Sequence, residues 1–233
     1  MENTNHFNLK PTVGGSFSSA WQTIFGKYFL PLLLTVIILG LLRGPSYTLK
    51  FDGGHFSSPA LFLFPLVLFG LAYGFLFYPV LNYGKDFIFI KAVRNHEVDL
   101  RLLFEGFRNK YLNIILANLI VTALVFMGMF MLVIPGIIVA VRLIFVSYLV
   151  MDKDMEPMKA VEKSWQMTRG HGWELFGMAI LSFFIFIGGV IVFFVGAIVS
   201  LMWIHAAFAT FYQAVLNEND DDNPIPILGV NEV

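Results

Sequence analysis

The chain has 233 residues, of which 58% are hydrophobic and 13% are charged, and its formal net charge is −1. A soluble domain carries about 25% charged residues and cannot bury apolar runs as long as these, so the composition excludes an ordinary water-soluble protein. The near-neutral charge gives no indication of nucleic-acid binding, and the absence of cysteine excludes disulfides, thiol catalysis and thiolate metal sites.

The first twenty residues are polar and rich in Gly and Ser. They lack the charged, apolar and small-residue regions of a signal peptide. We therefore expect the first membrane segment to remain in the protein and to direct its insertion.

Apolar runs predict an all-α fold, a polytopic transmembrane bundle of about six helices with short interfacial amphipathic helices. A spanning helix needs about 20 mostly apolar residues. The predicted spans are Tyr28–Leu42, Ala60–Tyr83, Tyr111–Met131, Ile137–Met151 and two helices within Trp173–Leu216. We expect a kink at Pro79, a tight turn at Ile134-Pro135-Gly136, and the last turn between Gly188 and Gly196.

The connecting segments are more polar. Arg43–Pro59 reads as a loop, and Gly84–Lys110 and Asp152–His171 are polar blocks. Within these blocks, Leu100–Phe107 and Met158–Arg169 have the apolar spacing of short helices that lie on the membrane surface. Small residues at Gly70, Gly74 and Gly84 indicate close helix packing rather than chemistry.

Lysine and arginine are distributed unequally between the two sides. With the N-terminus inside, the cytoplasmic segments hold twelve of them and the outer loops hold two, Arg43 and Lys50. Because positive residues are retained in the cytoplasm, this predicts that both termini are cytoplasmic.

Residues 1–217 are predicted to form a single membrane domain, and residues 218–233 an acidic, disordered tail. Trp21–Lys27 resembles Trp165–His171, which suggests three hairpin repeats at 15–83, 100–151 and 159–216. The alternative is that membrane-entry segments look alike because Trp, Tyr and Lys settle at interfaces.

About forty residues carry a recognisable pattern: a Pro-Gly turn, a short helix with an Arg, then Ala-x-x-x-Ser, Thr-x-Gly and an aromatic residue. These positions are Pro135, Gly136, Arg142, Ala160, Ser164, Thr168, Gly170 and Trp173. The pattern resembles a poorly characterised family of bacterial multi-pass membrane proteins related to the membrane domain of glycerophosphodiester phosphodiesterases. The resemblance implies an inner-membrane protein with no established activity of its own. The sequence shows no soluble phosphodiesterase domain, so enzymatic activity is not carried over.

Three polar residues in apolar runs form a candidate intramembrane site. Arg142 lies about 13 Å from Met151 and Asn118 about 10 Å from Leu112 by helical rise, so Asn118 could accept a hydrogen bond from Arg142. An Arg within a span usually faces the bundle interior or a watery cavity. The alternative is that Arg142 joins two helices or reaches the lipid headgroups.

His205 is the third candidate, about 16 Å from Leu216 and hence near the membrane midplane. It could relay protons or bind a metal. No second His or carboxylate lies three or four residues away. A neutral histidine bonded to a neighbouring helix is therefore favoured, and no metal site is predicted.

No Ser/His/Asp set, HExxH motif, phosphate loop or paired intramembrane carboxylates appear, so the sequence predicts neither an enzyme nor a cofactor. The favoured function is a non-enzymatic scaffold or accessory protein of the bacterial inner membrane. Its expected partners are the lipid bilayer and a membrane protein or second copy of the chain, with no nucleic acid. The alternative is a small transporter or channel whose path is lined by Arg142, Asn118 and His205.

Overall fold

The computed structural model describes residues 11–26, 28–42, 65, 68–191 and 193–219. These residues form helices joined by short turns, with no strand among them, which confirms the predicted all-α fold. The α-helices are α1 Val13–Ile24, α2 Phe29–Leu42, α3 Tyr78–Val93, α4 Gly106–Asn109, α5 Tyr111–Met131, α6 Val133–Arg142, α7 Val146–Asp152, α8 Pro157–Met167, α9 Gly172–Ile191 and α10 Phe193–Glu218. A π-helical turn, Tyr73–Phe77, precedes α3, and a 3₁₀ helix, Leu100–Phe104, follows it.

Four segments of the described chain are long and apolar enough to cross a membrane. They are Tyr111–Met131, Val133–Asp152, Gly172–Ile191 and Gly196–Glu218. Helices α1 and α2 make a fifth candidate if the pair, bent by 101°, is one broken span. The described residues thus give four to five candidate spans where the sequence predicts about six. The predicted loop Arg43–Pro59, part of the predicted span Ala60–Tyr83 and nearly all of the predicted tail lie outside the described residues.

The predicted second span, Ala60–Tyr83, ends ten residues before the helix does in the structure. The helix continues from Tyr83 through Gly84 to Val93, so the polar block does not begin at Gly84. The reason is that Lys85 and Asp86 are both buried and pair with each other, Nζ to Oδ1, at 3.1 Å. Two charges that pair with each other can remain in a packed helix, where the sequence alone suggests a polar block between spans.

The distortion expected at Pro79 takes the form of the π-helical turn. The Tyr78 amide donates to the carbonyl of Tyr73, five residues earlier. Because proline has no N–H, Pro79 cannot bond the Phe75 carbonyl, and a widened turn accommodates the missing bond.

The predicted turn at Ile134-Pro135-Gly136 is wrong, since these residues lie inside α6. The break between α5 and α6 is instead the single extended residue Leu132. Gly136 allows the two helices to approach, because a Cβ there would lie 2.7 Å from the Met129 amide nitrogen. The predicted fourth span, Ile137–Met151, is also interrupted at Leu143–Phe145, between α6 and α7.

The final hairpin follows the prediction more closely. Helix α9 ends at Ile191 and α10 begins at Phe193, inside the window expected for the turn. The two helices cross closely at Gly189, where a Cβ would lie 2.6 Å from the carbonyl oxygen of Gly196. A small residue is therefore required at this crossing.

The helices form an inner and an outer layer. We call α3, the α6–α7 pair and α10 the inner helices, and α2, α5 and α9 the outer helices. In the spans, 39% of Val133–Asp152 and 61% of Gly196–Glu218 are buried, against 17% of α5 and 22% of α9. Helices α3, α7 and α10 pack against one another and form the core, and the outer helices supply most of the exposed apolar surface.

The packing follows one cyclic rule. Each amphipathic segment contacts the inner helix of the preceding hairpin: the 3₁₀ helix lies on α3, α8 on α7, and α1 on α10. Each outer helix contacts its own inner helix and the preceding one, so that α2 contacts both α3 and α10. This order favours the hairpin repeats at 15–83, 100–151 and 159–216, which stay a prediction because the first includes residues outside the described part.

Candidate functional site

Arg142, the last residue of α6, is bonded to the segment after α8. Its Nη1 donates to the Thr168 carbonyl at 2.5 Å, and its guanidinium carbon lies 5.9 Å from the centre of the Trp165 ring. Asn118 is half-buried on α5, and no hydrogen bond joins it to Arg142 among the described residues. The structure therefore does not pair Arg142 with the partner that helical depth suggested.

Ser164 forms hydrogen bonds to both sides of the break between α6 and α7. Its hydroxyl donates to the Arg142 carbonyl at 2.8 Å and accepts a hydrogen bond from the Phe145 amide at 3.3 Å. The Thr168 hydroxyl donates to the Ser164 carbonyl at 2.9 Å, and lies 3.4 Å from the Arg142 carbonyl. Backbone groups exposed by an interrupted helix need such partners when they are buried.

The remaining residues of the family-like pattern have structural roles. Ala160 lies with Ser164 on the fully buried face of α8. Gly170 has φ +90, a backbone conformation that favours glycine, and it turns the chain from α8 into α9. Trp173 is 84% exposed at the start of α9. Pro135 and Gly136 lie towards the other end of α6, where Gly136 packs against Met129 of α5.

His205 contacts Lys85, a residue of the predicted polar block Gly84–Lys110. The Lys85 ammonium lies 3.2 Å from Nδ1 and 3.4 Å from Nε2 of His205, and the Phe89 ring is centred 5.5 Å from the imidazole. An ammonium group can only donate, so His205 must accept with a neutral ring nitrogen. We call Lys85, Asp86 and His205 the triad.

The triad lies level with the amphipathic segments. Gly84 touches the 3₁₀ helix, since a Cβ there would lie 2.4 Å from the Leu103 carbonyl oxygen. On α10, the Trp203 indole donates to the Phe17 carbonyl of α1 at 2.8 Å. Helix α10 continues from His205 to Glu218, about 20 Å further. His205 is therefore level with the amphipathic segments, and its depth in the membrane stays a prediction.

A second cluster ties the three inner helices together at one end. Arg94 bonds Asp152 through both terminal nitrogens, at 2.5 and 2.7 Å, and its Nε donates to Gln213 at 2.6 Å. Tyr212 also donates to Asp152, at 3.2 Å, and Gln213 donates to Asn217 at 2.6 Å. The Arg94 and Asp152 side chains are 10% and 5% exposed. We call these five residues the end cluster.

The end cluster cannot be recognised from the sequence alone. Arg94 and Asp152 stand at helix ends, where charged residues are normally solvated, and their partnership is long-range. Gln213 gave the only usable signal, because it is an uncharged polar residue inside an apolar run. A polar residue buried in such a run requires a hydrogen-bond partner.

A groove of about 500 Å³ lies between α6 and α9. Its walls include Ile134, Ile138, Val141 and Arg142 from α6, and Trp173 and Phe176 from α9. Neither Asn118 nor any member of the triad lines it. The three predicted site residues therefore do not meet in this cavity, and only Arg142 belongs to it.

Within the described part of the chain, no group of three or more His, Asp or Glu side chains could hold a metal ion. Comparisons with models of known families, with curated proteins and with solved structures find no match to this chain. The family resemblance is therefore supported by the sequence pattern alone.

Proposed function

We propose that this chain is a non-enzymatic scaffold or accessory protein of the bacterial inner membrane, with both termini in the cytoplasm. The observation that carries the proposal is that the buried charges of the inner helices are paired, Lys85 with Asp86 on α3 and Arg94 with Asp152 between α3 and α7. Residues that conduct ions or protons must instead contact water or exchange partners during transport.

The end cluster supports a fixed bundle. A bidentate Arg–carboxylate pair has defined geometry, and here Tyr212 and Gln213 satisfy further atoms of the same two groups. Since the cluster joins α3, α7 and α10, sliding of one inner helix past another would break several of these bonds together. This favours a rigid support over a moving carrier.

The outer helices offer the surface that a scaffold needs. Phe126 and Phe130 on α5 are 71% and 88% exposed, and Phe183 and Phe184 on α9 are 61% and 63% exposed. In a membrane such surfaces face lipid or pack against another membrane protein through shape complementarity. We therefore propose a membrane protein or a second copy of this chain as the partner.

The first test is a flux measurement in proteoliposomes. We expect proton and potassium fluxes equal to those of empty vesicles. A flux that Lys85→Met abolishes, in protein that remains folded, would overturn the scaffold proposal.

The second test places a photocrosslinking residue at Phe130 or Phe184 in cells, with Lys159 on exposed α8 as the matched control. We expect one dominant crosslinked product from the outer-helix positions, identified by mass spectrometry as a single membrane protein or a second copy. Crosslinks to lipid alone at both outer positions would remove the support for a protein partner.

A small proton- or ion-transporting protein is the second candidate, and the contact between Lys85 and His205 favours it. Two titratable groups within hydrogen-bond distance can pass a proton between them. Under this alternative His205→Gln, which keeps an acceptor, should retain part of the flux that His205→Leu loses.

A further inference from the structure

One of the three contacts in the cyclic packing rule contains a groove. Outer helix α2 packs on the inner helix α10 and buries Leu32, Val36 and Leu39, and α5 packs on α3 and buries Ile114 and Ala117. The corresponding contact between α9 and α6 is the site of the 500 Å³ groove. The volume falls within the range of small-molecule sites.

The groove has an apolar wall and one charged residue. Ile134 and Ile138 are 71% and 51% exposed, so the wall is accessible from the side of the bundle. Arg142 carries five N–H donors, and one hydrogen bond from its side chain is found in the described structure, to Thr168. No carboxylate is among the described residues that line the groove. The groove therefore presents a positive group with unused donors beside an apolar surface.

We propose that this groove binds an anionic phospholipid. The phosphate would lie on the Arg142 guanidinium, and an acyl chain would lie along Ile134, Ile138 and Val141. Arginine is suited to phosphate because its planar fork of donors matches the phosphate oxygens. Trp173, exposed beside the groove, belongs to the residue type that settles among lipid headgroups.

The local structure holds Arg142 ready for this role. The Thr168 carbonyl accepts a hydrogen bond from Nη1, and the Trp165 ring lies beside the guanidinium carbon. A Cβ at Gly172 would lie 3.7 Å from Nη2, so this position borders the guanidinium group on the α9 side. The first amides of α9 start at the same place, and a helix N-terminus favours a nearby anion. The inference does not depend on the scaffold proposal, because a bound lipid is compatible with either candidate function.

The test is native mass spectrometry of the purified full chain with added phosphatidylglycerol or phosphatidylcholine. We expect the wild type to retain one phosphatidylglycerol preferentially, and Arg142→Gln to weaken its binding at least about tenfold. Arg169→Gln is the matched control, because Arg169 is an exposed arginine between α8 and α9 that does not line this groove. Equal binding of the two lipids, or an equal loss in both variants, would overturn the proposal.

A second variant keeps the test decisive if Arg142→Gln does not fold. Ile138→Trp leaves Arg142 in place and fills the groove, so it should also lower phosphatidylglycerol retention. Unchanged retention in Ile138→Trp would contradict the proposed acyl-chain position. Glycerol phosphate is added as a competitor at the same concentration as phosphatidylglycerol. If it displaces the lipid, the groove recognises phosphate without recognising the lipid, and the proposal is overturned.

Discussion

The Ser164 hydroxyl donates a hydrogen bond to the carbonyl oxygen of Arg142, 2.8 Å away and on a different helix. The same hydroxyl accepts from the Phe145 amide, so one buried side chain bonds both sides of the interruption between α6 and α7. Three residues of the family-like pattern, Arg142, Ser164 and Thr168, thus meet at a helix break, and their contacts there stabilise backbone geometry.

Replacing Ser164 with Ala should destabilise the protein by about 1–3 kcal/mol, because the Phe145 amide would lose its described side-chain partner in a buried position. Thermal unfolding in detergent measures the change. Gln166→Ala is the control, since Gln166 lies two residues away on the exposed face of α8. An equal effect of the two substitutions would contradict the bridging role of Ser164.

Breaking the Arg94–Asp152 pair should be among the most damaging single changes. Arg94→Met leaves Asp152 buried without its cation, which typically costs about 3–5 kcal/mol. The double variant Arg94→Met, Asp152→Met should recover much of this loss, because no charge is left unpaired. The exposed pair Lys159–Glu156 is the control, where Lys159→Met should cost about 0–1 kcal/mol. A double variant as unstable as the sum of the single variants would contradict this account.

The contact between Lys85 and His205 should appear as energetic coupling. A double-mutant cycle with Lys85→Met and His205→Leu should give a coupling of about 0.5–2 kcal/mol in the free energy of unfolding. The cycle of Asn118→Ala with Arg142→Leu should be additive within about 0.5 kcal/mol, because the described structure has no bond between them. Additivity between Lys85 and His205, together with coupling between Asn118 and Arg142, would instead support the pairing that the sequence suggested.

Long apolar runs allowed the sequence to predict much of the fold. Tyr111–Met131 is reproduced residue for residue, and the last two helices match the predicted segment Trp173–Leu216 to within two residues at each end. The hydrophobic requirement of a span acts locally, so it can be read from consecutive residues. The helix interruption at Leu143–Phe145 cannot be read in this way, because its stabilising partner Ser164 lies on another element.

The polar sites were harder to predict for the same reason. Lys85 was assigned to the polar block between two spans, because its partner His205 is 120 positions away and cannot be identified from neighbouring residues. Arg142 was singled out from the sequence, but helical depth suggested Asn118 as its partner, whereas the structure bonds it to the Thr168 carbonyl. Depth along a helix restricts the possible partners without giving the direction of a side chain around the axis, and the packing of the helices decides that direction.

Glycine substitutions test the close contacts of the bundle. Gly84→Ala should destabilise the protein, because the new Cβ would lie 2.4 Å from the Leu103 carbonyl oxygen, which is backbone and cannot move freely. Gly70→Ala is the control, since nothing lies within 4 Å of its Cβ position. We expect a clear fall in unfolding temperature for Gly84→Ala alone. Equal behaviour of the two variants would show that Gly84 is not at a tight contact.

The last prediction concerns orientation, which follows from the excess of Lys and Arg in segments predicted to be cytoplasmic. The Arg94–Asp152 bond holds the following residues Glu97 and Lys153 at one end of the bundle, and α5, about 31 Å long, carries Leu132 to the other. The chain has no cysteine, so single cysteines at these positions report without background.

A membrane-impermeant maleimide should label Leu132→Cys in intact cells, and Ser57→Cys in the predicted outer loop, whereas Glu97→Cys and Lys153→Cys should react only after permeabilisation. Labelling of Glu97→Cys and Lys153→Cys from outside would reverse the predicted orientation. The Arg94–Asp152 ion pair requires Glu97 and Lys153 to lie at the same end of the bundle. Labelling of only one of these two positions from outside would contradict that requirement.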